Sequence, residues 1–230
     1  MNDVPFPLFH GTSTLFADRI LNSSLGSQNP VAETNAVACL SQLLAVGDVA
    51  LACEADWVSE SYSLRHIAAQ SVTGAGFNFR HGSTYLSPSE ETAVRYALSN
   101  SHGSEIISAC VALLNKLRVV AESNVECIEK NFPRIRDLSS GCFEPVLMRA
   151  DSVPVSALRT EQGEANVQER IRWLLEFENP AIRDSIAQQE NFEVVSSIEA
   201  ATLTVWRIKG RDGVPLSVNC YQLVPYEDAT

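Results

Sequence analysis

The chain has 230 residues, 45% of them hydrophobic, which is enough to bury a substantial core in one large domain, with or without an insertion. Lys and Arg number 17 against 28 Asp and Glu, giving a formal net charge of −11. This charge argues against nonspecific binding to nucleic acid, because a negative surface repels a phosphate backbone at long range.

No apolar run approaches membrane-spanning length, and the first residues lack the basic and then apolar layout of a secretory signal. The six cysteines show no C-x-x-C spacing and mostly lie in apolar stretches, so we expect them to be reduced and buried. The four histidines are dispersed, and no metal site is predicted. Together these features predict a cytoplasmic protein with no membrane contact.

The N-terminal segment predicts a strand, a ligand-binding turn and a helix. A short apolar run, Phe6 to Phe9, places His10 and Gly11 at the end of a strand, where glycine lets a ligand approach the backbone closely. The hydroxyl residues that follow are candidate helix caps, and the helix after them has apolar positions at helical spacing: Thr12, Ser13 and Thr14, then Leu15, Phe16, Ile20 and Leu21.

The next segment predicts helices and then a second strand. From about 31 to 70 the apolar residues recur at helical intervals, which predicts two or three inserted helices. Phe77, Phe79 and His81 alternate into a strand that carries Tyr85. We interpret the Ser87 to Glu90 segment as a capping box with proline at the first helical position, followed by a helix.

The second half predicts strands and one clear helix. The apolar stretch from Glu105 to Leu114 is a buried strand candidate, and a charged segment from Glu122 to Asp137 follows as helix or irregular chain. The remaining predicted elements are a strand from Glu144 to Met148, a helix from Val167 to Phe177 and a C-terminal hairpin of Thr202 to Ile208 with Leu216 to Val224. We therefore expect one α+β domain over 1–230.

Two short motifs carry the functional hypothesis. Leu8-Phe9-His10-Gly11-Thr12-Ser13 and Thr84-Tyr85-Leu86-Ser87, with Glu91 to Ala97 after the second, resemble the local patterns of the ADP-ribosyltransferase superfamily. The resemblance is to the branch of diphtheria toxin and the poly(ADP-ribose) polymerases, whose signature is a His, a Tyr and usually a Glu on three strands. It implies a split antiparallel β-sheet core, here with the early helical insertion at 31–70.

The resemblance also implies roles in binding NAD, the substrate. His10 would hydrogen-bond the adenosine ribose, the Gly11 backbone would hold the nicotinamide amide, and Tyr85 would stack on the nicotinamide ring. Thr12 and Ser13 are counted with the cofactor-binding residues, although helix capping explains Ser13 equally well.

Glu144 is our choice for the third signature residue, because it begins the strand that follows the Ile106 segment, in the order that the resemblance implies. Its catalytic role would be to bond the nicotinamide-ribose hydroxyl and to orient or deprotonate the acceptor. The other interpretation is a solvent-facing carboxylate at a strand start, and Glu105 is the rival. Pro145 lacks a backbone donor, so this strand must lie at an edge or begin there.

The resemblance thus predicts a mono-ADP-ribosyltransferase, a glycosyltransferase that moves ADP-ribose from NAD to a macromolecule, RNA, DNA or protein. Arginine is not the expected acceptor, because Cys142 occupies the position of the second acidic residue or glutamine in arginine-specific enzymes. A bacterial or phage-associated toxin or defence effector, restrained by an antitoxin or other inhibitor, is the expected context. Alternatives are a catalytically inactive NAD- or nucleotide-binding interaction module and a relative that removes a 2′-phosphate from RNA.

Overall fold

The computed structural model describes residues 2–71, 79, 82–161, 166–211 and 214–227. The strands are β1 (Leu8–Ser13), β2 (Ser24–Leu25), β3 (Tyr85–Leu86), β4 (Pro145–Ala150), β5 (Leu158–Thr160), β6 (Phe192–Val194), β7 (Ile198–Glu199), β8 (Leu203–Lys209) and β9 (Gln222–Pro225). The helices are α1 (Thr14–Leu21), α2 (Pro30–Thr34), α3 (Ala36–Ala50), α4 (Trp57–Ala68), α5 (Glu90–Ser99), α6 (Glu105–Val120), α7 (Glu122–Asn131), α8 (Pro133–Leu138), α9 (Val167–Glu176) and α10 (Pro180–Ala187).

The backbone packs into two compact units. The first comprises residues 1–28, 83–103 and 143–230, and the second comprises 29–82 and 104–142. A mixed α/β chain with antiparallel sheets is confirmed. The single domain over 1–230 stays a prediction. Among the described residues, no helix is long and apolar enough to cross a bilayer.

The first unit contains the antiparallel sheets. One sheet has the order β1-β4-β8-β9, a second has the order β3-β6-β5, and β2 pairs with β7. Helix α5 covers one face of the four-stranded sheet with a buried apolar cluster formed by Phe9, Ala93, Val94, Ala97, Leu147 and Ile208. Burying each large aliphatic side chain of such a cluster contributes about 1.5–3 kcal/mol.

The second unit is helical in its described residues. Its core lies between α3 and α6, whose buried side chains recur every three or four positions: Cys39, Leu40, Leu43 and Leu44 on α3, and Ile107, Cys110, Leu114 and Leu117 on α6. The two or three helices predicted between 31 and 70 are present as α2, α3 and α4, and their status as an insertion stays a prediction.

The predicted strand from Glu105 to Leu114 is wrong, because the segment is the first part of α6. An apolar run buried on most sides has the same composition in a helix and in a central strand, so periodicity does not separate them. The sixteen-residue length of α6 is typical of a helix and too long for most strands.

One helix start and one strand end also differ from the prediction. Helix α5 is capped by Ser89, whose Oγ accepts from the Thr92 N–H, so Pro88 precedes the cap instead of opening the helix. His10 and Gly11 lie in the middle of β1 and not at its end, because β1 keeps its pairing with β4 as far as Ser13.

Several other expectations have clear outcomes. Strand β4 begins at Pro145, as the missing backbone donor of proline requires. Cys39 and Cys110 are buried as predicted, but Cys53, Cys127 and Cys142 are exposed, so burial of these three is wrong. The C-terminal hairpin is present as β8 and β9.

The Phe79 ring stacks on the His66 ring, with the two ring centroids 5.2 Å apart. The predicted strand positions of Phe77 and His81 lie outside the described residues, as do Asp212 and Gly213 between the two predicted segments of the C-terminal hairpin.

Candidate functional site

Within the described part of the first unit, the two larger sheets are joined at the pair Phe9–Ser87. These residues exchange both backbone hydrogen bonds, each at 2.8 Å. Continued antiparallel pairing would place Gly11 opposite Tyr85, but the Phe9–Ser87 bridge is isolated. Strands β1 and β3 therefore separate, and we call the gap between His10, Gly11 and Tyr85 the notch.

The His10 imidazole contacts the backbone carbonyl of Tyr85. In a continued antiparallel ladder this carbonyl would accept a hydrogen bond from the Gly11 N–H instead. The His10 Nδ1 lies 2.9 Å from the carbonyl oxygen of Tyr85. Because a carbonyl oxygen only accepts, Nδ1 carries the proton, and Nε2 of the neutral ring is an acceptor. Burial lowers the pKa of His10, against the opposing effect of the Tyr85 hydrogen bond, so the ring is neutral near pH 7.

Gly11 presents its backbone to the notch and its Cα to α5. Thr14 donates its N–H to the Glu144 carbonyl at 2.9 Å, on the β4 side. Since backbone groups alternate along a strand, the N–H and C=O of Gly11 point to the opposite edge, as those of Phe9 do. A Cβ on Gly11 would lie 2.0 Å from the Ala93 carbonyl oxygen, so only glycine lets α5 pack this closely.

A carboxylate that the sequence interpretation missed lies next to Tyr85. Glu193, on β6, pairs directly with Tyr85 on one side and with Arg159 on the other, and residues opposite one another share a sheet face. The Glu193 residue is 7% exposed. The Arg159 Nε donates to Oε2 at 2.6 Å, its Nη2 donates to Oε1 at 2.7 Å, and the Ser83 Oγ donates to Oε1 at 2.6 Å.

The electrostatics of this group favour the charged form of Arg159. Its hydrogen bonds and charge raise the pKa of Arg159, and the nearby Tyr85 contributes in the same direction. The signal that could have revealed Glu193 is the alternation of Phe192, Glu193 and Val194. Strand β6 has only three residues, too few for a periodic pattern to be decisive.

Glu144 lies elsewhere on the four-stranded sheet. Its Oε1 accepts a hydrogen bond from Lys209 Nζ at 2.9 Å, and its Oε2 lies 3.5 Å from Arg207 Nη1. His10 pairs with Met148, and Glu144 is four residues before it, which corresponds to about 13 Å along a strand. The structure therefore brings His10 and Tyr85 together, whereas Glu144 belongs to an ion-pair group. Its catalytic role stays a prediction.

Thr12 and Ser13 are buried, at 1% and 0% exposure. Ser13 is the N-cap of α1 but makes no side-chain capping bond, and its Oγ has no partner among the described atoms. Gly103 packs beside both hydroxyls, since a Cβ on it would lie 2.9 Å from each. Direct contact of these two side chains with a ligand stays a prediction.

Glu105, the rival carboxylate, begins α6 in the second unit, where burial raises its pKa. Among the described residues, no group of three or more His, Cys, Asp or Glu is arranged to hold a metal ion. No family model, curated protein or solved structure matches the chain. The geometry and the sequence motifs therefore carry the functional argument.

Proposed function

We propose that the chain is an NAD-dependent mono-ADP-ribosyltransferase with the split-sheet core of that superfamily. The observation that carries the proposal is the notch, where β1 and β3 separate immediately after the Phe9–Ser87 bridge. The notch brings the His10 imidazole and the Gly11 strand edge next to the backbone of Tyr85, the residue whose ring the second sequence motif supplies.

The notch is chemically suited to the two ends of NAD. With the proton on Nδ1, the Nε2 of His10 accepts a hydrogen bond from a ribose hydroxyl of the adenosine half. Gly11 offers one N–H and one C=O on the same edge, which complement the C=O and NH₂ of the nicotinamide carboxamide. Tyr85 supplies an aromatic face on which the nicotinamide ring stacks.

Transfer requires a carboxylate near the nicotinamide ribose. When the bond from the ribose C1′ to the nicotinamide nitrogen breaks, its electron pair leaves with neutral nicotinamide and positive charge builds on the ribose ring, as in glycoside hydrolysis. An acceptor atom then forms a bond to C1′ and gives its proton to the carboxylate. Glu193 is the carboxylate across from Tyr85, and Glu144, the residue predicted from sequence, is the second candidate.

The acceptor is proposed to be a macromolecule, nucleic acid or protein, with a side chain other than arginine at the site of attachment. A cytoplasmic toxin or defence role, with an antitoxin or other inhibitor as partner, is the context that we propose. Because the net charge is −11, a nucleic-acid acceptor would need a local basic surface and not long-range attraction.

The test is NAD consumption by four proteins: wild type, Glu193→Gln, Glu144→Gln and the exposed control Glu178→Gln. Nicotinamide release and labelled ADP-ribose on material from a cell extract are measured. We expect wild type and Glu178→Gln to be active and Glu193→Gln to lose about 100-fold or more, within the range for removing a catalytic group.

The substitutions also decide between the two carboxylates. A large loss in Glu144→Gln with full activity in Glu193→Gln would assign catalysis to Glu144. NAD binding by wild type with no turnover against any extract would support the inactive binding module instead. Absence of both binding and turnover would contradict the proposal.

A further inference from the structure

Arg159 holds the Glu193 carboxylate through a two-pronged contact. Two of its guanidinium nitrogens donate to the two different carboxylate oxygens, at 2.6 and 2.7 Å. This fork fixes the plane of the carboxylate as well as its distance, which a single ammonium group does not do. The arrangement thus restricts rotation of the Glu193 carboxylate.

The fork forms between residues at directly opposed positions on neighbouring strands. Arg159 on β5 opposes Glu193 on β6, and Glu193 opposes Tyr85 on β3. The three side chains therefore form one row across a single sheet face. Whatever orients the Glu193 carboxylate also sets its orientation relative to Tyr85.

Glu193 depends on its contact with Arg159 because its carboxylate is buried. The Glu193 side chain is 9% exposed, whereas that of Arg159 is 46% exposed. A buried carboxylate without an opposite charge is strongly unfavourable, so it takes up a proton or changes its rotamer. Arg159 lies partly in water and supplies that charge while losing only part of its own hydration.

The other polar groups around Glu193 in the described segments carry no positive charge. Ser83 donates from the segment before β3 and is neutral, and Tyr85 faces Glu193 from β3. Glu161, two residues after Arg159, carries a negative charge and accepts from the Asn191 side chain at 3.2 Å. Arg159 is the cation that contacts Glu193 within the described part of the sheet.

We infer that Arg159 is a positioning residue for the transfer reaction, which keeps Glu193 ionised and oriented toward the nicotinamide ribose beside Tyr85. This inference rests on the proposed function and on Glu193 as its carboxylate. Arg159 acts through Glu193 and transfers no proton itself. It therefore affects turnover and its pH dependence more than the affinity for NAD.

The experiment compares wild type, Arg159→Lys, Arg159→Gln and the control Arg172→Gln, an exposed arginine on α9. We expect kcat for NAD consumption to fall on the order of 100-fold in Arg159→Gln, the scale for a misplaced reacting group, with KM nearly unchanged. The acidic limb of its pH profile moves to higher pH. Arg159→Lys, which keeps the charge, retains the wild-type acidic limb but not the full kcat.

A second measurement does not require turnover. The unfolding free energies of wild type, Arg159→Gln, Glu193→Gln and the double variant form a cycle measured by urea titration at pH 5 and pH 8. We expect Arg159→Gln to lower the unfolding free energy more at pH 8 than at pH 5. Adding the Glu193→Gln substitution should remove this loss. Independent, pH-insensitive effects would overturn the inference.

The outcomes separate the two hypotheses. Wild-type turnover of NAD with unchanged kcat and pH profile in both Arg159 variants overturns the role of Arg159 and leaves the proposed function in place. A wild-type chain that neither binds nor consumes NAD overturns the proposed function, and the role of Arg159 in transfer with it. Loss in Arg159→Gln, partial rescue in Arg159→Lys and an unchanged Arg172→Gln support the inference.

Discussion

His10 is held in one tautomer by a backbone carbonyl and in the neutral form by burial. Because burial lowers its pKa below the ordinary value of 6.5, the unfolded chain binds a proton at this site in a pH range where the folded chain does not. Stability therefore rises with pH through this range and falls as the pH drops below about 6.5. The same neutral ring is the form with an acceptor at Nε2.

The first prediction concerns the substitution His10→Asn, whose amide nitrogen can replace Nδ1 on the Tyr85 carbonyl but which has no equivalent of Nε2. Urea unfolding between pH 7 and pH 5 should show a smaller loss of stability in the variant than in wild type. Isothermal titration at pH 7.5 should show weakened NAD binding in a folded variant. Equal pH slopes in the two proteins would show that His10 is not the group that titrates.

At the scale of elements, Gly11 lies between helix α5 and the notch, and both contacts limit what this residue can be. Helix α5 occupies the space where a side chain would be, and the backbone edge faces the notch. In Gly11→Ala the new Cβ would meet the Ala93 carbonyl oxygen at 2.0 Å and the Ala97 nitrogen at 3.0 Å. Both are backbone atoms, so the helix itself must shift, and we predict a loss of about 2–3 kcal/mol in the free energy of unfolding.

Gly210→Ala is the matched control for Gly11→Ala. Its Cβ would meet the nearest atom, the Val214 carbonyl oxygen, at 3.1 Å, a contact that a small backbone shift relieves. Urea titration of both variants should show the larger loss in Gly11→Ala. If the two variants are equally stable, α5 does not pack against β1 as closely as described.

The elements also show how far the sequence could be interpreted. The helices of 31–70 were predictable, because apolar residues recur there at helical intervals over a long stretch. Helix α6 was not, since only Glu105 and Ser108 are polar among its first ten residues, and such a short apolar run has the same composition in a buried strand. The opening of α5 was misplaced by two residues because both Ser87 and Ser89 are suitable caps, and only the Thr92 hydrogen bond distinguishes them.

At the scale of the whole molecule, the six cysteines differ in accessibility. Cys53, Cys127 and Cys142 are exposed, Cys220 is partly exposed, and Cys39 and Cys110 are buried. Contact with the Cys39 thiol, together with burial, raises the pKa of Cys110 well above the usual thiol range. Because the thiolate is the reactive form, the buried pair should react last.

Alkylation with N-ethylmaleimide tests this order. We predict rapid modification of Cys53, Cys127 and Cys142 in the native protein, slower modification of Cys220, and modification of Cys39 and Cys110 only in urea. Peptide mass spectrometry over time gives the rate at each site. Rapid native labelling of Cys110 would contradict the packing of α3 against α6.

The candidate site was only partly accessible to sequence analysis. His10 and Tyr85 were identified because each lies in a recognisable local motif, and the structure places the His10 imidazole against the Tyr85 backbone carbonyl. Glu193 was missed because its relation to Tyr85 depends on pairing between strands more than 100 residues apart in the chain. Such a register depends on tertiary packing, which no local pattern encodes.

A ligand in the notch would be held at Gly11 by atoms that every amino acid possesses. No side-chain exchange can delete that N–H or C=O, except proline, which removes the donor. Random mutagenesis selected for inactivity should therefore damage this position by displacing the helix behind it, whereas changes at the neighbouring imidazole or phenol would remove the groups proposed to contact NAD.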